Sequence, residues 1–253
     1  MTFKKRTFYN ALLVSAFFLS DQLMAQGDVL KLLPGSKKAN YFEENDLLKL
    51  EGDVNFEYQK NTMFCDSAYY FEKKQIIRAY GNVHIIKDQL NIFCDSAFFN
   101  GQTNTSKLWG RVKMRDGDYK LTTDSIEYDS SSGRATYRNH GLIQKINSKE
   151  RITSKTGYFY PDTKNYHFQD SVKYINESLT MTTDTLKFDY TAQKSYFFGK
   201  TKIEKDSIDI ISSFGWFQSK SNIGYLHGDA MFKDPEKILF ADTIFYNDSI
   251  QKI

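Results

Sequence analysis

Five aspartates recur at a regular interval: Asp66, Asp95, Asp124, Asp184 and Asp242. Each is followed by Ser or Thr and, four positions on, by an aromatic residue. Carboxylates stacked in this way are one means of holding a row of hard cations. The other use of Asp before Ser or Thr is local, with a side-chain oxygen bonding nearby backbone at the start or bend of a strand. Two further copies of the segment carry Lys155 and Ser213 at the aspartate position, a substitution that suits structure better than metal. Calcium-binding β-roll repeats also need a glycine-rich nonapeptide that is absent here. The expectation is a structural role and no metal.

The remaining reactive side chains are few. Cys65 and Cys94 are the only cysteines, and both stand one residue before a repeated aspartate. If their strands were adjacent, the Cα atoms would lie about 4.8 Å apart, within disulfide range; with a strand between them, about 9.6 Å, too far. Other copies place Thr, Ser or Ala at this position, which favours two reduced, small, buried residues. The four histidines (His84, His140, His167 and His227) have no metal-ligand spacing, and no nucleophile elbow or phosphate loop is present. Catalysis is not expected, and no cofactor is implied.

The elements that carry these residues come from an internal repeat. The aspartate-type positions are 66, 95, 124, 155, 184, 213 and 242, separated by 29 residues except for one interval of 31. A second motif, Gly-x-Val-x-apolar, runs in phase with the first from Gly52, Gly81 and Gly110, with looser copies from Gly141, Asp170, Gly199 and Gly228. Each starts 14 residues before its aspartate-type position. A worn copy occupies about residues 30–51, and the two-residue excess is assigned to the loop near Asn147, Ser148 and Lys149. Apolar residues fall on alternate positions, as in Ile77, Ala79, Val83 and Ile85, and a period of two means strand. Turn signals such as Asn100-Gly101 and Asp116-Gly117-Asp118 separate the segments. The expected fold is all-β: about fifteen antiparallel strands, two per repeat, in one elongated stack without helix beyond an export signal. One repeat cannot bury its apolar face alone, but stacked repeats share a core. One aromatic column runs Tyr70, Phe99, Tyr128, Phe159, Phe188, Phe217 and Tyr246.

Composition agrees. The chain has 253 residues, 40% hydrophobic and 16% aromatic, too apolar for disorder, and only 3 prolines, as suits paired strands. Residues 1–26 read as a secretory signal: Lys4, Lys5 and Arg6, then the apolar run 11–19, then small or polar residues ending Ala25-Gln26. The run is too short to span a membrane, although an uncleaved anchor is the alternative. With Lys4, Lys5, Arg6 and Asp21 removed, the net charge falls from +3 to +1, so there is no case for a nucleic-acid partner. The domain expected after the signal is 27–253.

The alternation of Gly-x-Val-x-apolar with Asp-Ser/Thr-x-x-aromatic at this period, behind an export signal, resembles the OstA/LptA family of periplasmic lipopolysaccharide-transport proteins. The resemblance covers about residues 28–253. It implies an OstA-type β-jelly-roll with an apolar trough that shields lipid acyl chains, and no enzymatic activity. It also implies lipopolysaccharide (through lipid A) as cargo, and end-to-end strand pairing with other OstA-fold components or with further copies as a homo-oligomer. The implied location is the periplasm, in association with the inner and outer membranes. Under that resemblance the inward-phased Val54, Phe56, Val83, Ile85, Val112 and Met114 are the first candidates for lipid contact, with Phe99 and Tyr128 next. The chain ends at Ile253, after the Asp242 motif and without the next Gly-x-Val strand, which reads as truncation or as a last strand paired with a partner. The competing reading is a structural or adhesive β-solenoid with a closed dry core that binds protein or glycan.

Overall fold

The computed structural model describes residues 30–247, apart from 59–60, 130, 161–162, 164, 178, 190, 219 and 222. The expected signal and its cleavage site lie outside the described residues. The chain divides into two compact units between Asn139 and His140.

The N-terminal unit holds β1 (Lys31–Leu32), β2 (Lys38–Phe42), β3 (Leu47–Tyr58), β4 (Asn61–Phe71), β5 (Ile76–Lys87), β6 (Leu90–Asn100), β7 (Thr105–Asp116), β8 (Tyr119–Asp129) and β9 (Arg134–Tyr137). From β2 onward each strand pairs antiparallel with the next. The C-terminal unit holds β10 (Gly141–Lys145), β11 (Arg151–Ser154), β12 (Thr156–Tyr160), β13 (Asn165–Ile175), β14 (Leu179–Asp189), β15 (Lys194–Lys205), β16 (Ile208–Gln218), β17 (Ile223–Lys233) and β18 (Ile238–Asn247). Here β10 pairs with β11, both β11 and β12 pair with β13, and the meander continues antiparallel to β18. Among the described residues the only helical element is a single 3-10 turn, Glu43–Asn45.

The fold is therefore the expected all-β one, with two strands per repeat. The count is eighteen rather than about fifteen because three repeat strands are each broken in two. β1 and β2 lie along successive stretches of β3, interrupted around Pro34-Gly35, and form the worn copy. β11 and β12 lie along β13 on either side of Lys155. β9 and β10 are the third pair, separated by residues 138–140.

That last break corrects the position of the extra residues. The turn after β8 has the same length as the turn after β6, since Asp129 pairs with Arg134 as Asn100 pairs with Thr105. From Thr105 five residues precede Gly110, whereas from Arg134 seven precede Gly141. The two-residue excess thus sits at 138–140, not near Asn147. Turn-like composition drew the assignment to Asn147, yet that loop keeps the ordinary residue count.

Both motifs are explained at the bend. On β3, Glu51 pairs with Ser67 and Val54 with Cys65, so three steps on β3 match two on β4: a β-bulge. The same shift recurs at Tyr80/Val83, Trp109/Val112 and Phe198/Thr201. At Gly81 φ is +76°, a left-handed conformation that favours glycine, and Asn82 follows at +46°. On the facing strand the buried positions of β4 are Met63 and Cys65, then Ala68 and Tyr70. The step of three passes over Asp66 and Ser67, so that strand changes its inward parity there. Asp-Ser/Thr therefore marks two consecutive residues facing away from the interior.

The bend folds each unit on itself. Leu48 pairs with Tyr70, and Tyr58 stands ten residues farther along β3. A flat ladder would separate Tyr58 from Tyr70 by roughly 33 Å at about 3.3 Å per residue. Their ring centroids are 6.4 Å apart. In the C-terminal unit Phe232 and Tyr246 meet in the same way, at 6.5 Å. Each unit is thus a bent antiparallel meander whose two half-sheets face each other across an apolar interior, the construction of an OstA-type jelly-roll.

Candidate functional site

Val54, Phe56, Val83, Ile85, Val112 and Met114 all stand after the bulges of β3, β5 and β7 and face the interior of the N-terminal unit. All six are at most 3% exposed. Phe99 and Tyr128 stand on the other half-sheet near its turns, half-buried. The register joins some of them into one cross-strand row: Phe56, Met63, Ile85, Ile92, Met114 and Leu121, each directly opposite the next. Met63, Ile92 and Leu121 were missed from the sequence because the parity change at Asp-Ser hides which face of β4, β6 and β8 points inward. The signal was present in the three-residue step from Cys65 to Ala68. With strands about 4.8 Å apart the row runs roughly 24 Å across the sheet. An acyl chain filling one leaflet, half of a hydrocarbon core of about 30 Å, is about 15 Å long.

The interior carries no formal charge among the described residues. Its buried polar side chains are all hydroxyls: Thr123, Thr136, Ser154, Thr156, Thr183, Ser195, Thr201 and Ser212. Several occupy the cysteine column and serve one local purpose. The thiols of Cys65 and Cys94 donate to the carbonyls of Ser67 and Ser96, both at 3.3 Å. The hydroxyls of Thr123, Ser154 and Thr183 donate likewise to the carbonyl two residues on. The column thus satisfies backbone acceptors where the bulge interrupts the ladder. Cys65 and Cys94 lie on β4 and β6 with β5 between them, a separation of about 9.6 Å, and both are free and buried. Burial pushes both thiols up to about 12.

The aspartates lie outside this interior, on the motif glycines. A β-carbon built on Gly81 would meet the Asp66 carboxylate at 2.2 Å, one on Gly110 the Asp95 carboxylate at 2.4 Å, and one on Gly199 that of Asp184 at 2.0 Å. Asn82 donates to Asp66, and the Arg111 guanidinium grips both oxygens of Asp95, lowering that carboxyl below its usual range. Successive aspartates are two strands apart, about 9.6 Å, too far to share one cation. Among the described residues no group of three or more His, Cys, Asp or Glu side chains is placed to hold a metal.

Small inward positions are occupied by neighbouring rings. A β-carbon on Gly215 would meet the Phe197 ring at 2.2 Å, and Phe197 is 2% exposed. A second apolar feature, not foreseen from sequence, lies on the outer face. His84 stacks between Phe64 and Phe93, with centroids 5.7 and 4.2 Å away, and Tyr225 contacts Trp216 and Phe245 at 6.0 and 5.0 Å. Lys194 Nζ sits 3.6 Å over Trp216. The last strand, β18, exposes Phe240 and Phe245.

Bent antiparallel repeats around an uncharged interior define an all-β class of repeat protein, and comparison with known families agrees. Residues 29–184 match the OstA-like protein family, and the chain belongs to it. Among solved structures, it is similar to LptH of Pseudomonas aeruginosa, described as the LptA homologous periplasmic component of the conserved lipopolysaccharide transport device. Identity is 10%, the match covers 60% of this chain and 93% of that one, and the TM-score is 0.27. A second match is to Hsv2 of Kluyvelomyces marxianus, at 7% identity, 83% and 98% coverage and a TM-score of 0.12. No curated protein matches the chain.

Proposed function

We propose that the protein is a non-catalytic periplasmic carrier that shields the acyl chains of lipopolysaccharide on their way to the outer membrane. The observation that carries this reading is the uncharged inward row from Phe56 to Leu121, longer than one leaflet-length acyl chain. Exposing an acyl chain to water costs about 0.8 kcal/mol per methylene, so a dry apolar lining lowers the cost of transit without any chemistry. Membership of the OstA-like family supports the same reading. The export signal over residues 1–26 would deliver the chain to the periplasm. The apolar outer strand β18, with Phe240 and Phe245 exposed, suits pairing with another OstA-fold component or a second copy.

One observation favours the second reading, a structural or adhesive β-solenoid: the interior is filled by the chain's own side chains, with Phe56 and Val112 at 0% and 1% exposure. Photo-crosslinking from Phe56, Ile85 and Val112 in intact cells separates the two. Adducts with lipid A are the expected result; their absence at every inward position would leave the closed-core reading in its place.

A further inference from the structure

The outer faces of the two units are built from equivalent repeat positions and differ sharply in chemistry. Between turn and bulge, β13, β15 and β17 turn His167, Tyr196 and Tyr225 outward where β3, β5 and β7 have Lys49, Arg78 and Lys107. On β16, Phe214 and Trp216 stand where β8 has Ser125 and Glu127. The degenerate motif copy Ser213-Phe214 thereby acquires a reason. Its aromatic residue occupies the place that every other copy gives to Ser or Thr. The rings form one patch: Phe214 lies 5.2 Å from Phe198 and 6.1 Å from Tyr225, and Trp216 lies 6.0 Å from Tyr225.

The cations differ as well. In the N-terminal unit Lys49 is paired with Glu51 at 2.8 Å and Lys107 with Glu127 at 2.6 Å. In the C-terminal unit the lysines rest on rings instead. Lys194 Nζ is 3.6 Å from the Trp216 ring and 4.9 Å from that of Tyr196, and Lys187 Nζ is 5.2 Å from Phe198. Asp189, opposite Lys194 in the ladder, accepts from the Ala192 amide. Among the described residues, the outward positions of β15, β16 and β17 between turn and bulge hold no acid.

We infer that this outer face docks on an anionic membrane surface, with Phe214, Trp216 and Tyr225 at the headgroup boundary and Lys187 and Lys194 against lipid phosphates. Tyr and Trp suit a boundary that is apolar on one side and wet on the other. A lysine stem lies along an apolar surface while its ammonium stays in water, and an ammonium with no carboxylate partner is left to attract anionic lipid. A second copy fits less well. In a two-fold contact the same patch meets itself, so these lysines would face lysines with no acid between them. The inference is independent of the carrier reading, which concerns the opposite face of the same strands.

The test is flotation of the exported protein with phosphatidylcholine vesicles, with and without phosphatidylglycerol. Phe214→Ser combined with Tyr225→Thr removes two rings without adding charge, and both new side chains occur at equivalent places, in Ser125 and Thr136. Lys187→Gln combined with Lys194→Gln removes the charge and leaves the rings. The parent should float with the anionic vesicles. The ring variant should bind at least tenfold more weakly, and the lysine variant about fivefold more weakly for each lysine removed. The lysine effect should vanish at high salt. A parent that does not float, or a ring variant with native circular dichroism that floats like the parent, would overturn the inference. If the ring variant loses its native circular dichroism, the lysine variant decides alone, and parent-like flotation at low salt would count against it. A dimer formed without lipid and broken by Phe214→Ser would assign the face to a second copy. Binding of a soluble deacylated glycan that the ring variant loses would assign it to sugar. Either result overturns membrane docking, and neither bears on crosslinking from Phe56 or Val112, which reads the interior.

Discussion

The carboxylate of Asp66 lies directly on Gly81, so close that a β-carbon there would stand 2.2 Å from one of its oxygens. The two repeat motifs therefore form one contact. The aspartate of one strand covers the glycine of the next, and the glycine takes the left-handed conformation that makes the bulge.

Replacing Gly81 by Ala should cost more than backbone strain alone. A left-handed alanine costs about 1–2 kcal/mol, and displacing Asp66 adds to it. Gly117 provides the control: it also has a positive φ (+52°), but nothing lies within 4 Å of its added β-carbon. Urea denaturation should show Gly81→Ala losing clearly more stability than Gly117→Ala. Adding Asp66→Ala should recover part of the Gly81→Ala loss, and strictly additive effects would deny the contact.

Stability should depend on acid through Asp95. Its carboxyl is lowered chiefly by the hydrogen bonds from Arg111. A folded value below the unfolded one means that the contribution is complete above the ordinary carboxylate range and disappears as pH falls through the lowered folded value. The pair is exposed, so its effect should be small and salt-sensitive. Denaturation midpoints measured across the acidic range should show a shallower loss in Asp95→Asn than in the parent; identical profiles would remove Asp95 as a contributor.

Sequence periodicity revealed the repeat and its strands, because both depend on local alternation. It did not reveal the inward face of the Asp strands, because Cys65 and Ala68 are both inward at an odd spacing that only the facing bulge explains. Residues 138–140 were missed for a related reason: breaking a strand leaves no compositional mark, whereas Asn147-Ser148-Lys149 has the composition of a turn. The inward phase of Val54, Phe56, Val83, Ile85, Val112 and Met114 was legible in the alternation, and all six are buried. Whether the interior stands open was not legible, since that depends on rings such as Tyr58 and Tyr70, which come together only after the sheet folds.

The cysteine column gives a prediction about reactivity and one about substitution. With both thiols pushed up to about 12, neither should react with a maleimide at neutral pH in the folded protein, and both should react once it is unfolded. Cys94→Ser keeps a donor to the Ser96 carbonyl, as Ser154 does for Thr156. Cys94→Val removes it, at an expected cost of about 1–3 kcal/mol for an unsatisfied buried carbonyl. Thermal denaturation that ranked Val above Ser would refute the donor role.

The carrier reading makes a quantitative demand on chain length. Each methylene moved from water into the interior contributes about 0.8 kcal/mol, roughly a fourfold change in Kd. Opening the two half-sheets costs the same for every ligand, so it shifts the whole series without changing the slope. A set of acylated lipids sharing one head group should therefore bind with affinity rising roughly fourfold per methylene, and the rise should stop when the chain outruns the row from Phe56 to Leu121. Met63 and Met114 within that row are unbranched and adaptable, so the fit should be tolerant of chain shape. Displacement of a fluorescent fatty acid would measure the series. A flat dependence on chain length would mean that the ligand stays on the outer face, and that the half-sheets remain closed around their own side chains.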